Sequence, residues 1–347
     1  MQDIDFSPLP KAEVIKAIER RRPRRIPCIR THWYREGLNE VYGEGLKALD
    51  RYPEDAMLLT VSPLDPEKMN LSWYSGADER AALDAGGALP EWKHLDEFIE
   101  KMPDATAPGL LDAARPHAER AHREDLYMML TFWRFFFERP WGFRGMQNFL
   151  TDFYLNPGEV HRLQDALCTL YEGIIRRAAD ELKPDGFFTS DDLGNQRQLM
   201  MRPEHFREFI KPYYRRIAKL CRELGLHFWL HSCGNNTEIM QDLIEVGVDV
   251  FHPVQKHTMD ERAIARRFGD RLAFHAGFDV QQTIVTASPE EVRAEVRFLI
   301  DTFDRDDGGM CLAAGNGILP GTPIENIEVF LDEALRYGTT HRARANA

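Results

Sequence analysis

Several things are scarce in this chain, and each scarcity closes off a class of protein. No stretch of the 347 residues approaches 18 consecutive apolar positions, so no membrane-spanning helix is expected. The first residues, MQDIDFSPLPKAEV, lack an apolar segment behind a basic start, so no secretory signal is read there. Positive charge is in deficit, with 44 Lys and Arg against 56 Asp and Glu, a net −12. A nucleic-acid binder needs a basic field to meet phosphates, so nucleic acid is not an expected partner. The one basic cluster, 20–25, ends a helical pattern and reads as a solvated helix end. Cysteines number five (Cys28, Cys168, Cys221, Cys233, Cys311), odd and widely scattered, which is no disulfide framework and points to a reducing, cytoplasmic setting. Repeats and low-complexity tracts are absent.

What is present is a rhythm of short apolar runs, polar or glycine turns, and amphipathic stretches of helical period. Strands are expected at 25–30, 55–61, 126–132, 186–190, 227–231, 248–252, 272–276 and 310–314. Helices are expected at 203–225, 236–247, 260–269 and 289–303, with a last one beginning at Pro323. Ser288 suits an N-cap, with Pro289 at N1 and Glu290 and Glu291 in the first turn. Strands alternating with helices imply parallel pairing through right-handed crossovers. Eight such units close naturally into an α/β fold, a single (β/α)8 TIM barrel over 1–347. Residues 62–124 are too long for a simple loop and helix, and read first as an elaborated loop after strand two, over the barrel mouth, and second as a separate small domain. The aromatic run Phe132–Phe137 reads first as core or subunit interface, then as a pocket wall.

In such barrels chemistry happens at the C-terminal ends of the strands. Those ends carry Arg30 and His32, Ser62, Asp191 and Asp192, His231 and Cys233, His252 and Gln255, Asp279, and Asn316. So many polar groups in one layer favour an enzyme with a small-molecule substrate. His231 and Cys233 are the most informative. Positions i and i+2 on a strand share a face, so an imidazole and a thiol emerge together. That is a ligand pair preferred by Zn²⁺; the same spacing also suits a buried, partnered histidine beside an inert cysteine. Of Asp191 and Asp192 only one can face the axis, as metal ligand, general base or substrate anchor; the alternative is a helix cap. His252 and His275 read more readily as core histidines. Cys311 lies some five residues below Asn316 at the start of its strand, on the order of 15 Å from the mouth, and belongs to the core.

Several motifs resemble the uroporphyrinogen decarboxylase superfamily: Asp191-Asp192-Leu193-Gly194-Asn195-Gln196, His231-Ser232-Cys233-Gly234-Asn235, the segment 247–255 (GVDVFHPVQ), Gly277-Phe278-Asp279-Val280-Gln281 and Thr322-Pro323-Ile324-Glu325-Asn326. The segment 11–19 (KAEVIKAIE) with Arg25-Ile26-Pro27 is similar to its N-terminal entry. The resemblance covers nearly the whole chain and implies a single (β/α)8 domain, frequently a homodimer. The superfamily's decarboxylases use an Arg-rich motif after strand one and an Asp after strand two. Here those positions read Arg30-Thr31-His32-Trp33-Tyr34-Arg35 and Val61-Ser62-Pro63, so the Asp is missing.

The other branch comprises zinc-dependent methyltransferases that exchange methyl groups with a corrinoid carried on a separate protein. They hold zinc by a His-x-Cys pair, matched by His231 and Cys233, and by a further Cys, whose position falls on Asn316. Asn is a poor zinc ligand, so Asp192 or the substrate's heteroatom completes the shell if zinc binds. The resemblance thus implies a methyltransferase or demethylase, with Zn²⁺ at His231 and Cys233 and a corrinoid protein as partner. Asp192 and His252 are the candidate catalytic residues; Arg30, His32, Gln255, Asp279 and Asn316 are the candidate substrate contacts. Two alternatives stand beside it: a metal-free lyase holding carboxylates with Arg30, His32 and Arg35, and a non-catalytic module that binds a tetrapyrrole or a corrinoid protein.

Overall fold

The computed structural model describes residues 4–61 and 87–346. Eight parallel strands follow one another around the sheet: β1 (Cys28–Ile29), β2 (Ala56–Thr60), β3 (Tyr127–Thr131), β4 (Gly186–Ser190), β5 (His227–His231), β6 (Val250–His252), β7 (Ala273–Phe278) and β8 (Met310–Ala314). β2 to β8 pair consecutively and β8 pairs with β1, giving the (β/α)8 barrel. All eight expected strands exist, and the first is the shortest. Pro27 has no N–H to donate, although its carbonyl accepts from Leu312 (2.8 Å).

The β1–β2 seam closes differently. The Asp55 N–H donates to the Cys28 carbonyl (3.1 Å), and the Asp55 carboxylate accepts the Cys28 and Leu9 N–H groups (2.8 Å each). Arg25 grips that carboxylate with both terminal nitrogens, at 2.6 and 2.7 Å. The pair is buried, so its charges are worth keeping only because every oxygen lone pair in reach has a donor.

The expected helix 203–225 is interrupted. A π turn at Phe206–Ile210 separates a short helix, Pro203–His205, from Lys211–Glu223. Pro212, one residue into the second helix, cannot donate to the carbonyl four residues back, and the backbone widens to accommodate it. The helix Pro289–Phe303 begins with a complete capping box between Ser288 and Glu291.

Of the long connection after β2, residues 62–86, with Ser62, Trp73 and Tyr74, lie outside the described residues. The helix Arg115–Glu124 packs on β2 and β3 as the regular barrel helix. Ahead of it, Trp92 donates to Asp152 (2.9 Å) and carries Arg144 over its ring, so this stretch packs on the outer helices. Phe135, Phe136 and Phe137 are core. None of the helices among the described residues is long and apolar enough to cross a membrane.

The barrel interior is filled by rings. Phe188, Trp229, His252 and His275 meet across the strands, and Trp33, from the turn after β1, stacks on His252 with centroids 4.4 Å apart. Cys311, second in β8 and opposite His275 in register, is buried.

Candidate functional site

The parallel register places the site. Ser190 lies opposite His231, and His231 opposite His252, so β4, β5 and β6 end at one level. Two glycines allow close approach at this level, Gly234 in the turn after β5 and Gly277 near the end of β7. A Cβ on Gly234, whose φ is +80°, would sit 2.3 Å from the backbone of Gly194, and one on Gly277 2.6 Å from the Cα of Gly315. The connections after β4 and β8 reach Cys233, through Asp192 and Asn316.

Asp191 and Asp192 separate as the alternation of a strand requires. Asp191 is buried and caps the helix Glu138–Arg144, accepting from the N–H groups of Phe137 and Glu138 and from the Tyr214 hydroxyl. Burial pushes its carboxyl up to about 7 against the pull of those donors. Asp192 turns to the mouth instead. Its Oδ1 accepts the Cys233 N–H (2.7 Å) and lies 3.6 Å from His231 Nε2. His231 Nε2 is in turn 3.3 Å from Cys233 Sγ. One carboxylate oxygen, one imidazole nitrogen and one sulfur lie within 4.8 Å of one another, a set that can hold a metal ion. The chemistry of these donors fits Zn²⁺, which takes N, S and carboxylate O and leaves a position open where only three protein ligands are supplied.

Asn316 does not take a ligand's place. Its Nδ2 donates to Cys233 Sγ (3.3 Å), while its Oδ1 accepts from the Gly317 N–H (2.6 Å) and from Arg35 (3.3 Å). Burial and the Asp192 charge push the Cys233 thiol up, and the Asn316 donor pulls it back. Gln255 holds the same turn, accepting the Gly234 N–H through Oε1 (2.7 Å).

A cavity of about 350 Å³ opens beside this group. Asp192, Cys233, Gln255, Asp279 and Asn316 line it, together with Asn195, Gln196, Met200, Lys256 and Gln281. Asp279 contributes backbone and shape more than a free charge. Its carboxylate accepts from the N–H groups of Gln281 and Thr283 and from the Thr283 hydroxyl; burial opposes the charge, but these donors hold it below the usual carboxylate range. Lys256 is paired with Glu295 at 2.5 Å.

Four candidates from the sequence, Arg30, His32, His231 and His252, do not line the cavity, although His231 adjoins two residues that do, Cys233 and Asp192. His252 is fully buried beneath His231, its Nδ1 2.7 Å from His231 Nδ1 and its Nε2 3.0 Å from the Ala314 carbonyl. Arg30 is buried against Asp50, and its backbone N–H is held by Glu54. His32 stacks on Trp133 at 5.0 Å, and burial, with Arg35 and His231 nearby, pushes its pKa down to about 3. His275 lies in the core with neither ring nitrogen paired among the described residues.

Two residues near the site carried no sequence signal strong enough to single them out. Trp133 presents its edge to His231 (6.0 Å), and the four aromatic neighbours in its run hide it. Glu138 accepts from Ser190 Oγ (2.6 Å), and burial with the charges of Asp192 and Asp191 pushes its carboxyl up.

Against known proteins, the sequence model of the uroporphyrinogen decarboxylase (URO-D) family matches residues 141–337. A methylcobamide:CoM methyltransferase, MtaA of Methanosarcina barkeri, is 26% identical over 133 residues, 38% of this chain and 36% of that one. A uroporphyrinogen decarboxylase of Anaeromyxobacter sp. (strain Fw109-5) is 30% identical over 125 residues, 36% of this chain and 34% of that one. The chain thus spans about a third of the length of the curated relatives it matches. A solved methyltransferase from Methanosarcina mazei superposes with a TM-score of 0.67 at 16% identity, covering 95% of this chain and 99% of that one, which is a likeness of fold.

Proposed function

The chain belongs to the uroporphyrinogen decarboxylase family, and we propose that it is a methyltransferase or demethylase that moves a methyl group between a small substrate and a corrinoid carried by a separate protein. Asp192, His231 and Cys233 would hold a zinc ion. The observation that carries this reading is the convergence of those three donors within 4.8 Å, with Asp192 and Cys233 lining a cavity at the barrel mouth.

Zinc bound there would supply Lewis acidity to a substrate thiol, alcohol, amine or ether at the open position. The side chains around it prepare that position. With Asp192 and Cys233 ionised and His231 neutral, the donor set offsets a divalent charge, so the buried site carries no net charge to desolvate. Asn316 donates to the sulfur and keeps the place where a second thiolate would close the shell. Gln255 and Asp192 pin the backbone N–H groups of Gly234 and Cys233, fixing the turn that presents the sulfur. A cavity of about 350 Å³ suits a small molecule.

A decarboxylase reading needs cationic groups aimed at substrate carboxylates. Arg30, buried against Asp50, does not line the cavity, which speaks against that use. A purely binding module would have no need of a three-donor cluster. The test is elemental analysis of the full chain purified without chelator. About one zinc per chain is expected, as one three-ligand site dictates, and its loss in Cys233→Ala. A metal-free preparation that takes up no added zinc would overturn the reading.

A further inference from the structure

His231 can offer a metal either ring nitrogen, and which one it offers is set from below. The hydrogen bonds run in one line. The Ala314 carbonyl, at the end of β8, has no proton to give, so His252 Nε2 must carry the hydrogen across that 3.0 Å contact. A neutral His252 then has a bare Nδ1. That atom is 2.7 Å from His231 Nδ1, a separation that requires a single shared hydrogen, so His231 Nδ1 is the donor. The remaining nitrogen of His231, Nε2, is left with its lone pair, and it is the nitrogen beside Cys233 Sγ and Asp192 Oδ1.

From this geometry we infer that His252 is a positioning residue: it locks the tautomer and ring rotation of His231 so that Nε2 is always the available donor. The benefit of that role, though not the hydrogen-bond chain itself, rests on the metal reading above. The groups around His252 support the assignment. Trp33 stacks on its ring, and His275 and Phe188 close the other sides. No carboxylate is bonded to it among the described residues, and a ring so fully buried without a counter-charge bonded to it is held neutral. A carboxylate in its place would orient His231 as well but would add an unmatched buried charge. Neutral imidazole supplies the acceptor without that cost.

The experiment has two arms. Long-range ¹H–¹⁵N correlation spectra of the metal-free, full-length protein at neutral pH should show His231 protonated at Nδ1 and His252 at Nε2; the opposite tautomer at His231, or exchange between the two, overturns the proposal. In the second arm, His252→Phe keeps ring volume and the Trp33 stack but removes the acceptor, while His252→Asn can restore an acceptor oxygen. Zinc retention against a chelator should fall about 10- to 100-fold in the Phe variant and recover at least partly in the Asn variant. Undiminished retention in a folded His252→Phe protein also overturns it. If His252→Phe does not fold, the spectra of the unmodified chain decide. A protein that shows the expected tautomers yet binds no zinc would refute the metal reading and leave the hydrogen-bond chain standing.

Discussion

Asn316 donates its side-chain N–H to the sulfur of Cys233 across 3.3 Å, so the residue at the position where the family resemblance implies a second cysteine bonds to the first one. Its carbonyl is fixed by Gly317 and Arg35, which aims the amide at the sulfur. Replacing it by alanine removes one donor from the thiolate, and zinc retention against a chelator should fall about tenfold. Equal retention would show that the contact does not act on the metal. Asn316→Cys should hold zinc more tightly and turn over more slowly, because a fourth protein ligand occupies the position meant for substrate.

Asp192 does two jobs that one substitution separates. In Asp192→Asn an oxygen remains to accept the Cys233 N–H, so the turn is kept, but the anionic ligand is gone. Thermal stability of the metal-free protein should change by less than about 1 kcal/mol, as a neutral swap of an acceptor allows. Zinc affinity, read by competition, should drop by about a hundredfold or more. Loss of fold with intact affinity would reverse the assignment.

Gly234→Ala should disturb both site and stability. The new Cβ would meet the Gly194 backbone at 2.3 Å, and φ of +80° is strained for alanine. A cost on the order of 3 kcal/mol in chemical denaturation is expected. Zinc binding should weaken with it, since Cys233 is the neighbouring residue. A variant as stable as its parent would mean the two turns are not in contact.

At the barrel seam, Asp55→Ala strands the Arg25 guanidinium and orphans the Cys28 and Leu9 N–H groups. Breaking a buried pair this way should cost about 3–5 kcal/mol in urea unfolding. A loss under about 1 kcal/mol, the level of an exposed ion pair, would place the seam's strength elsewhere.

His275 makes a pH prediction. Burial pushes its pKa from 6.5 to about 3. Between those values the unfolded chain binds the proton and the folded chain does not, so this residue's contribution falls as pH falls through that window. Each unit below 6.5 costs about 1.4 kcal/mol from one such group. Glu138, held high, works in the opposite direction but equally in parent and variant. The stability of His275→Phe, measured by denaturant titration from pH 7.5 to 5, should therefore decline less steeply than that of the parent. Parallel profiles would mean that His275 is protonated in the folded chain.

The strand–helix alternation, the N-cap at Ser288 and the i, i+2 pairing of His231 with Cys233 were legible along the chain because they depend on neighbours two to four residues apart. For the same reason Asp191 and Asp192 could be divided between two faces, though not assigned to them. The break at Pro212 did leave a signal, since a proline ten residues into the expected helix 203–225 removes an i→i−4 hydrogen bond, but the apolar period runs on across it.

What the sequence by itself determined is the periodicity, and with it the barrel and the layer of polar residues at its mouth. Only the tertiary structure decided which of those residues act together. Strand register set His231 opposite His252, so the two rings meet at 2.7 Å and His252 lies outside the cavity lining. The close approach of Gly194 to Gly234 brought Asp192 to Cys233 from 41 residues away, while Arg30 was turned toward Asp50 and out of the cavity. Distances between side chains on different strands are fixed by shear and packing around the whole barrel, and no local run of residues encodes them.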